Sequence, residues 1–383
     1  MQIGIFGPVP YVTPTPPRGF PQPPRHYDPA IGMSSMDAGL RVFEIADDLG
    51  FDYVSVAEHH FAARQLTPDP SLFAAAMTQR VRNAKIAILG VLLPMLDPVR
   101  VAEQFAMLDT LSHGRLRPGV FRGTPNELMV YHSNPAESRG RYEEAVRLIQ
   151  KCWTEPEPFG WEGVYYRYRS IAIWPRPVQQ PAPPLLISGN SVQSAQFAGT
   201  HHLDMGFSLG NLTAKATNIA HYKAAASRAG WTPTPDNLLT RYVIYVGETD
   251  EKAHEEFGRG QLDNPLDPRR IAYIQAMWAA GMGVKVSPDA ARKSPTPTAG
   301  GFPTLYGSPD TLLRKMHEIV ETTGVGRFDL IFTGDRLSQE MGLASLRRFA
   351  KEMLPTLHKL DARPFFDRIE VPAPADASLR QPA

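Results

Sequence analysis

A closed (β/α)8 TIM barrel is the fold this sequence predicts, on three observations. Eight short apolar runs recur along the chain, amphipathic segments of helical period stand between them, and no run leads into a glycine-rich nucleotide-binding loop. The runs are QIGIF (Gln2–Phe6), FDYVSVA (Phe51–Ala57), KIAILGVLL (Lys85–Leu93), RLRPGVF (Arg115–Phe121), PLLIS (Pro184–Ser188), LDMGFSL (Leu203–Leu209), RYVIYVG (Arg241–Gly247) and RFDLIFTG (Arg327–Gly334). They are mostly continuous rather than alternating, as strands buried on both faces are.

The segments between the runs read as helices. MDAGLRVFEIADDLG sets Leu40, Val42, Phe43, Ala46 and Leu49 near helical spacing, with Ser35 as the expected cap and Gly50 past the end. DPVRVAEQFAMLDTL opens with Asp97 at the cap and Pro98 in the first turn, and SPDTLLRKMHEIVETTG repeats the device with Ser308, Pro309 and Gly324. A further helical period runs from Val146 to Trp153. A doubly wound open sheet is the competing arrangement, but G-x-G-x-x-G and G-x-x-x-x-G-K-[ST] are missing after every run.

One domain over residues 1–360 is expected, with two insertions at 8–33 and 258–307. The first holds nine prolines between Pro8 and Pro29, and the second contains a proline-rich stretch from Lys285 to Pro309. Such segments are either disordered excursions or, since loops after barrel strands emerge at the face where active sites lie, lids over the mouth. Residues 361–383 read as a loosely ordered tail.

The chain has 383 residues, 43% of them hydrophobic, enough for a sizeable core. Forty Lys and Arg against 39 Asp and Glu leave a net charge of +1, which points to neither nucleic acid nor an anionic membrane as partner. A single cysteine, Cys152, excludes an internal disulfide framework. With no apolar run of membrane-spanning length and no signal-peptide pattern after Met1, a cytoplasmic location is expected.

The second run ends in Glu58, His59 and His60, at the catalytic face of a barrel. A metal site is disfavoured: the first run holds no histidine, and no set of His and carboxylates has ligand spacing, so no metal is expected. A serine triad is disfavoured because no G-x-S-x-G elbow occurs. One of two adjacent histidines can equally be a structural residue bonded inside the protein, and that role is expected for His60.

Taken together, the IGIF strand, LGFDYVSVAEHHF, LLPMLDPVRVAEQFAMLDTLSHGRLRPGVFRG, RGRYEEAVRLIQKCW, WPRPVQQPAPPLLISGNSVQSAQFAG and GSPDTLLRKMHEIVETTGV follow the order and spacing of a known family. The chain resembles the bacterial luciferase-like flavin-dependent monooxygenases and oxidoreductases from Gln2 to about Leu357. The resemblance implies the same barrel and a monooxygenase that takes reduced FMN from a separate flavin reductase, reacts it with O2 to a flavin hydroperoxide, and oxygenates a small-molecule organic substrate. It leaves two alternatives: an F420-dependent dehydrogenase or reductase on the same fold, and a flavin-binding protein without catalysis. A homodimer is the expected assembly.

It also implies residue roles. His59, the first histidine of EHHF, would serve proton transfer beside the flavin, a task suited to imidazole. Arg122, in GVFRG, would bind the flavin phosphate with its guanidinium fork. Ser191 and Ser194, with Asn190, would supply the second phosphate contact at a helix start, although an ordinary capping serine fits that position as well. Leu89–Gly90 falls where the family carries a non-prolyl cis peptide against the flavin, while Gly90 alone would also suit a simple kink. Two positions depart from luciferase: Asn190 stands for an acidic residue and Phe121 for a reactive cysteine, so light emission is not implied.

Overall fold

In the computed structural model of the protein, residues 1–13, 21–63, 65–131, 133–208, 210–258, 303–332 and 338–370 are described. Four of its helices begin with one local device, an acceptor side chain followed by proline. Asp28, Asp69, Asp97 and Ser308 take backbone N–H groups of the first turns of the helices Pro29–Asp48, Pro70–Thr78, Pro98–Leu111 and Pro309–Thr323. Proline fits the first turn because the N–H it lacks would have no intrahelical acceptor there. The first helix therefore starts at Pro29, not near Ser35. Ser35 is buried inside it and its hydroxyl accepts from Val12 N–H at 3.2 Å. The expected helix ends hold at Gly50 (φ 85°) and Gly324 (φ 60°), both left-handed.

Eleven strands are described: β1 (Gln2–Phe6), β2 (Tyr53–Val56), β3 (Lys85–Leu92), β4 (Leu116–Phe121), β5 (Phe159–Glu162), β6 (Arg167–Ile171), β7 (Leu186–Ser188), β8 (Asp204–Phe207), β9 (Leu238–Val246), β10 (Thr304–Gly307) and β11 (Arg327–Ile331). Eight form a closed parallel ring in the order β1, β2, β3, β4, β7, β8, β9, β11, with β8–β9 and β11–β1 pairing completing it. These are the eight runs of the sequence, so the expected barrel is the observed one.

The runs are apolar throughout because alternate residues meet two different interiors. Ile3, Ile5, Val54, Val56, Ile86 and Ile88 point outward into the cluster shared with the helices, beside Phe43, Phe105 and Trp153. The other set fills the barrel, and part of it is polar. Tyr53 O–H donates to Phe328 O (2.7 Å), Ser55 O–H to Asp329 Oδ1 (2.7 Å) and Arg241 Nε to Asp329 Oδ2 (2.7 Å). The Arg241 guanidinium also lies 3.9 Å from the centre of the Phe6 ring.

Three further strands lie outside the ring. β5 and β6 form an antiparallel hairpin with mostly exposed or half-buried residues. Its turn is pinned by the buried carboxylate of Glu144, which accepts from Trp161 Nε1 and from the N–H groups of Val164, Tyr165 and Tyr166 at 3.0–3.1 Å. β10 pairs with the second half of β9, Thr304 opposite Val243 and Gly307 opposite Val246.

The described ends of the 8–33 insertion lie along the loop after β2. Leu66 N–H donates to Val9 O (2.9 Å), Tyr11 N–H to Ala63 O (2.7 Å) and Gln22 N–H to Phe61 O (2.8 Å). Most of the 258–307 insertion falls outside the described residues. The tail expected from residue 361 is not loose at its start: a helix spans Arg363–Arg368, and Phe366, 2% exposed, belongs to the main core. Lys223 Nζ donates to the carbonyls of Phe366 and Ile369 at 2.6 and 3.0 Å, closing that helix end.

Candidate active site

β2, β3, β4 and β7 are consecutive in the ring, so their C-terminal ends adjoin along one side of the barrel mouth. His59 and His60 follow β2, Leu89–Gly90 lie in β3, Arg122 follows β4, and Asn190, Ser191 and Ser194 follow β7. Register brings the last two groups level: Gly119 pairs with Leu186, and both chains leave the sheet within a few residues.

The two histidines are held differently. His60 is buried, with Nε2 2.8 Å from Glu58 Oε1 and Nδ1 2.9 Å from the Tyr131 hydroxyl. It has the structural placement expected of it. His59 keeps 31% of its side chain exposed, and its Nδ1 lies 2.8 Å from Glu127 Oε1. The other oxygen of Glu127 accepts from Thr124 N–H and O–H at 2.8 and 2.5 Å. Burial alone would raise the pKa of Glu127. The hydrogen bond and charge of His59, with the Thr124 donors, outweigh it and hold the carboxyl below its usual range. An ionised Glu127 fixes the proton on Nδ1 and leaves Nε2, which has no protein partner among the described residues, to exchange protons.

Glu127 is missing from the residues that the sequence points to. Its signal is Thr124-x-x-Glu127 ahead of the helix Pro125–Val130, the spacing of a capping box in which the glutamate reaches back to the first N–H. The second oxygen of that box then serves the histidine.

Glu58 ties β2 to β3. Its Oε2 accepts from Leu92 N–H (2.8 Å) and its N–H donates to Gly90 O (3.1 Å). The Leu89–Gly90 peptide bond is cis, at a break in the β3–β4 register between Ile88 and Val91. A Cβ on Gly90 would strike the Gly119 carbonyl, so glycine here permits close approach of β3 and β4. Leu89 itself faces the barrel interior with Tyr53, Leu186 and Leu239.

Arg122 is half-buried and makes no hydrogen bond or salt bridge with any described residue. Burial, and next the nearby Arg139 guanidinium, lower its pKa below the ordinary value. Arg139 itself is ion-paired to Glu143, with Nη1 3.0 Å from Oε1. Ser191 caps the helix Val192–Thr200: its hydroxyl oxygen accepts from Ser194 N–H (3.2 Å) and its O–H lies 3.0 Å from Ser194 Oγ. Asn190 Nδ2 donates to Ser188 and Ser208 hydroxyls at 3.0 and 3.3 Å. Among the described residues no group of three His, Cys, Asp or Glu could hold a metal, and no helix is long and apolar enough to cross a membrane.

A parallel eight-stranded barrel with its functional groups at the strand C-termini defines the class of (β/α)8 proteins. Within it, the model of the luciferase-like monooxygenase family matches residues 12–327, and the chain belongs to that family. Its sequence is 25% identical over 325 residues to 3,6-diketocamphane 1,6-monooxygenase of Pseudomonas putida, covering 76% of this chain and 84% of that one. It is 24% identical over 222 residues to the oxygenase component of flavin-dependent trigonelline monooxygenase of Acinetobacter baylyi, covering 57% and 61%. The chain spans 47–61% of the length of several such curated relatives. Among solved structures, monooxygenase RslO1 from Streptomyces bottropensis superposes with a TM-score of 0.73 at 26% identity, covering 93% of this chain and 99% of that one. The oxygenating constituent of 3,6-diketocamphane monooxygenase from Pseudomonas putida, in complex with FMN, shares the fold with a TM-score of 0.70 at 23% identity, covering 93% and 98%.

Proposed function

We propose that this protein is an FMN-dependent monooxygenase that takes reduced FMN from a separate reductase and, with O2, oxygenates a small organic substrate. One observation supports it above the others: Arg122, half-buried and with no hydrogen-bond or ion-pair partner among the described residues, follows β4, whose neighbour β7 leads into a capped helix start, on the same side of the mouth as the His59–Glu127 pair. Arg122, with Ser191, Ser194 and Asn190, would hold the phosphate, and Leu89–Gly90 would lie against the ring system. Bound reduced FMN would supply the electrons that activate O2.

The chain's own residues do the rest. Glu127 holds the His59 ring in one orientation, so Nε2 can give or take a proton at a fixed point. Glu58, through Leu92 and Gly90, keeps the β3 segment at its height in the mouth. The described residues after β1 that lie along the loop after β2 would limit the access of water from that side.

The deciding experiment supplies the purified protein with reduced FMN, or with reduced F420, in the presence and absence of O2. O2-dependent product with reduced FMN supports the reading. Turnover with F420 that ignores O2 makes the protein a dehydrogenase or reductase instead.

A further inference from the structure

At the opposite, N-terminal end of the barrel lies a polar cluster that the chemistry above leaves unused. Gln2, Tyr53, Lys85, Arg117, Leu239 and Arg327 wall one small cavity. The ring's register gathers them there, with Gln2 opposite Arg327, Arg327 opposite Leu239 and Tyr53 opposite Lys85. Three of the six are cations.

Their acceptors do not match that charge. Arg327 is 6% exposed; its Nη2 donates to Asp204 Oδ2 at 2.6 Å, but its buried Nε has no acceptor among the described residues. Asp204 is shared with Asn237 Nδ2 at 2.8 Å. Among the described residues, Arg117 Nη1 donates to neutral oxygens alone, Leu116 O at 3.0 Å and Gln179 Oε1 at 2.6 Å. Lys85 Nζ has one long hydrogen bond, 3.4 Å, to Gln2 Oε1. Two carboxylates, Asp52 and Asp236, are near Lys85 without an ion pair to it, and Asp52 is turned to Ile3 N–H (2.7 Å) and His358 Nε2 (3.0 Å). Lys85 is held below its ordinary pKa by burial and then by the charge of Arg117, and Arg117 by burial and then by Arg327.

A buried N–H without an acceptor, among cations that outnumber the carboxylates bound to them, is unstable unless something negative shares the space. We propose that this cavity binds one small inorganic anion, of the size of chloride, between Lys85, Arg117 and Arg327. The cavity, about 10 Å³, has room for a single monatomic ion at most, which excludes phosphate, sulfate and larger anions. The anion would join β3, β4 and β11 at the end of the barrel remote from the mouth, where residues serve stability rather than chemistry.

The test is thermal unfolding of the full chain in sodium chloride against sodium gluconate at equal ionic strength, with a map of bromide-soaked crystals. Gluconate is too large for the cavity. Chloride should raise the midpoint saturably by about 1–3 °C over gluconate, as expected for a ligand bound only by the folded state. Lys85→Met should abolish the difference and leave turnover unchanged. Bromide should give an anomalous peak between the three cations. If the wild-type midpoints coincide and the peak is missing, the site holds only water and the proposal fails. Should Lys85→Met not fold, the wild-type map decides alone.

Discussion

Glu127 divides one carboxylate between two partners: Oε1 lies 2.8 Å from His59 Nδ1, and Oε2 accepts from Thr124. Glu127→Gln would keep the shape but can present its NH2 to Nδ1, favouring the wrong tautomer. Turnover should fall about 10–100-fold with FMN affinity little changed, and His59→Ala should lose about 100-fold or more. Stopped-flow turnover beside FMN titration separates the two quantities. A fully active His59→Ala protein would remove the histidine from the chemistry. The lowered pKa of Glu127 also adds stability above the ordinary glutamate value, lost as pH falls through the folded value; urea unfolding below about pH 4.3 should show that slope in the wild type and not in Glu127→Gln.

Arg122→Ala should weaken FMN binding by about 2–3 kcal/mol, the scale of a charge-assisted contact. Riboflavin has no phosphate and should bind both proteins alike. Equal losses for the two flavins in a fluorescence titration would contradict the phosphate role.

Lys215 is a buried cation, 1% exposed, that donates to the Thr240 and Tyr242 hydroxyls at 2.9 and 3.2 Å and has no carboxylate partner among the described residues. Burial lowers its pKa to about 8. Below that value the fold carries the cost of the charge, and stability rises with pH between about 8 and the ordinary value of 10.5, because the unfolded chain then binds more protons. Lys215→Met should therefore stabilise the protein at pH 7 by on the order of 2 kcal/mol, an advantage that shrinks toward pH 10. Denaturant midpoints at pH 7 and 10 check both the sign and the trend.

Cys152 is 1% exposed, and burial, followed by the charges of Glu103 and Asp97, pushes its thiol up to about 12. The folded protein should not react with a disulfide reagent at pH 8, and should titrate one thiol once unfolded. Rapid labelling of the native state would contradict the packing described here.

Much of the barrel is legible in the sequence because a strand buried on both faces must be apolar at every position, as Ile86, Ala87, Ile88 and Leu89 are. β5 and β6 escape that rule: FGWE and RYRSI are half in water, and what holds their turn is a single carboxylate, Glu144, on a distant helix. β10 is four residues, TLYG, directly after Pro303, and is recognisable only through its pairing with β9. The first helix cap is misread because Asp28 lies among prolines, where a disordered segment and a proline-first helix look alike. At the site, the histidine is visible in EHH, but its partner is 68 residues away, and no local pattern announces that a capping glutamate has a spare oxygen.

β9 is long enough to belong to two arrangements. Its first part pairs with β8 and β11 in the ring, and its last residues pair with β10, where Gly247 N–H also donates to Gly307 O at 3.0 Å. Asp250 adds a clasp: its Oδ1 accepts from Ser308 N–H (2.7 Å) and its Oδ2 from the Thr311 hydroxyl (2.8 Å). The chain that departs after Gly258 is thus received back at a doubly fastened point, independent of what lies between. Heritable changes of length or composition in that interval can accumulate without disturbing the register of the eight ring strands. The barrel can in this way keep its ring of strands while its descendants exchange the interval between two fixed fastenings.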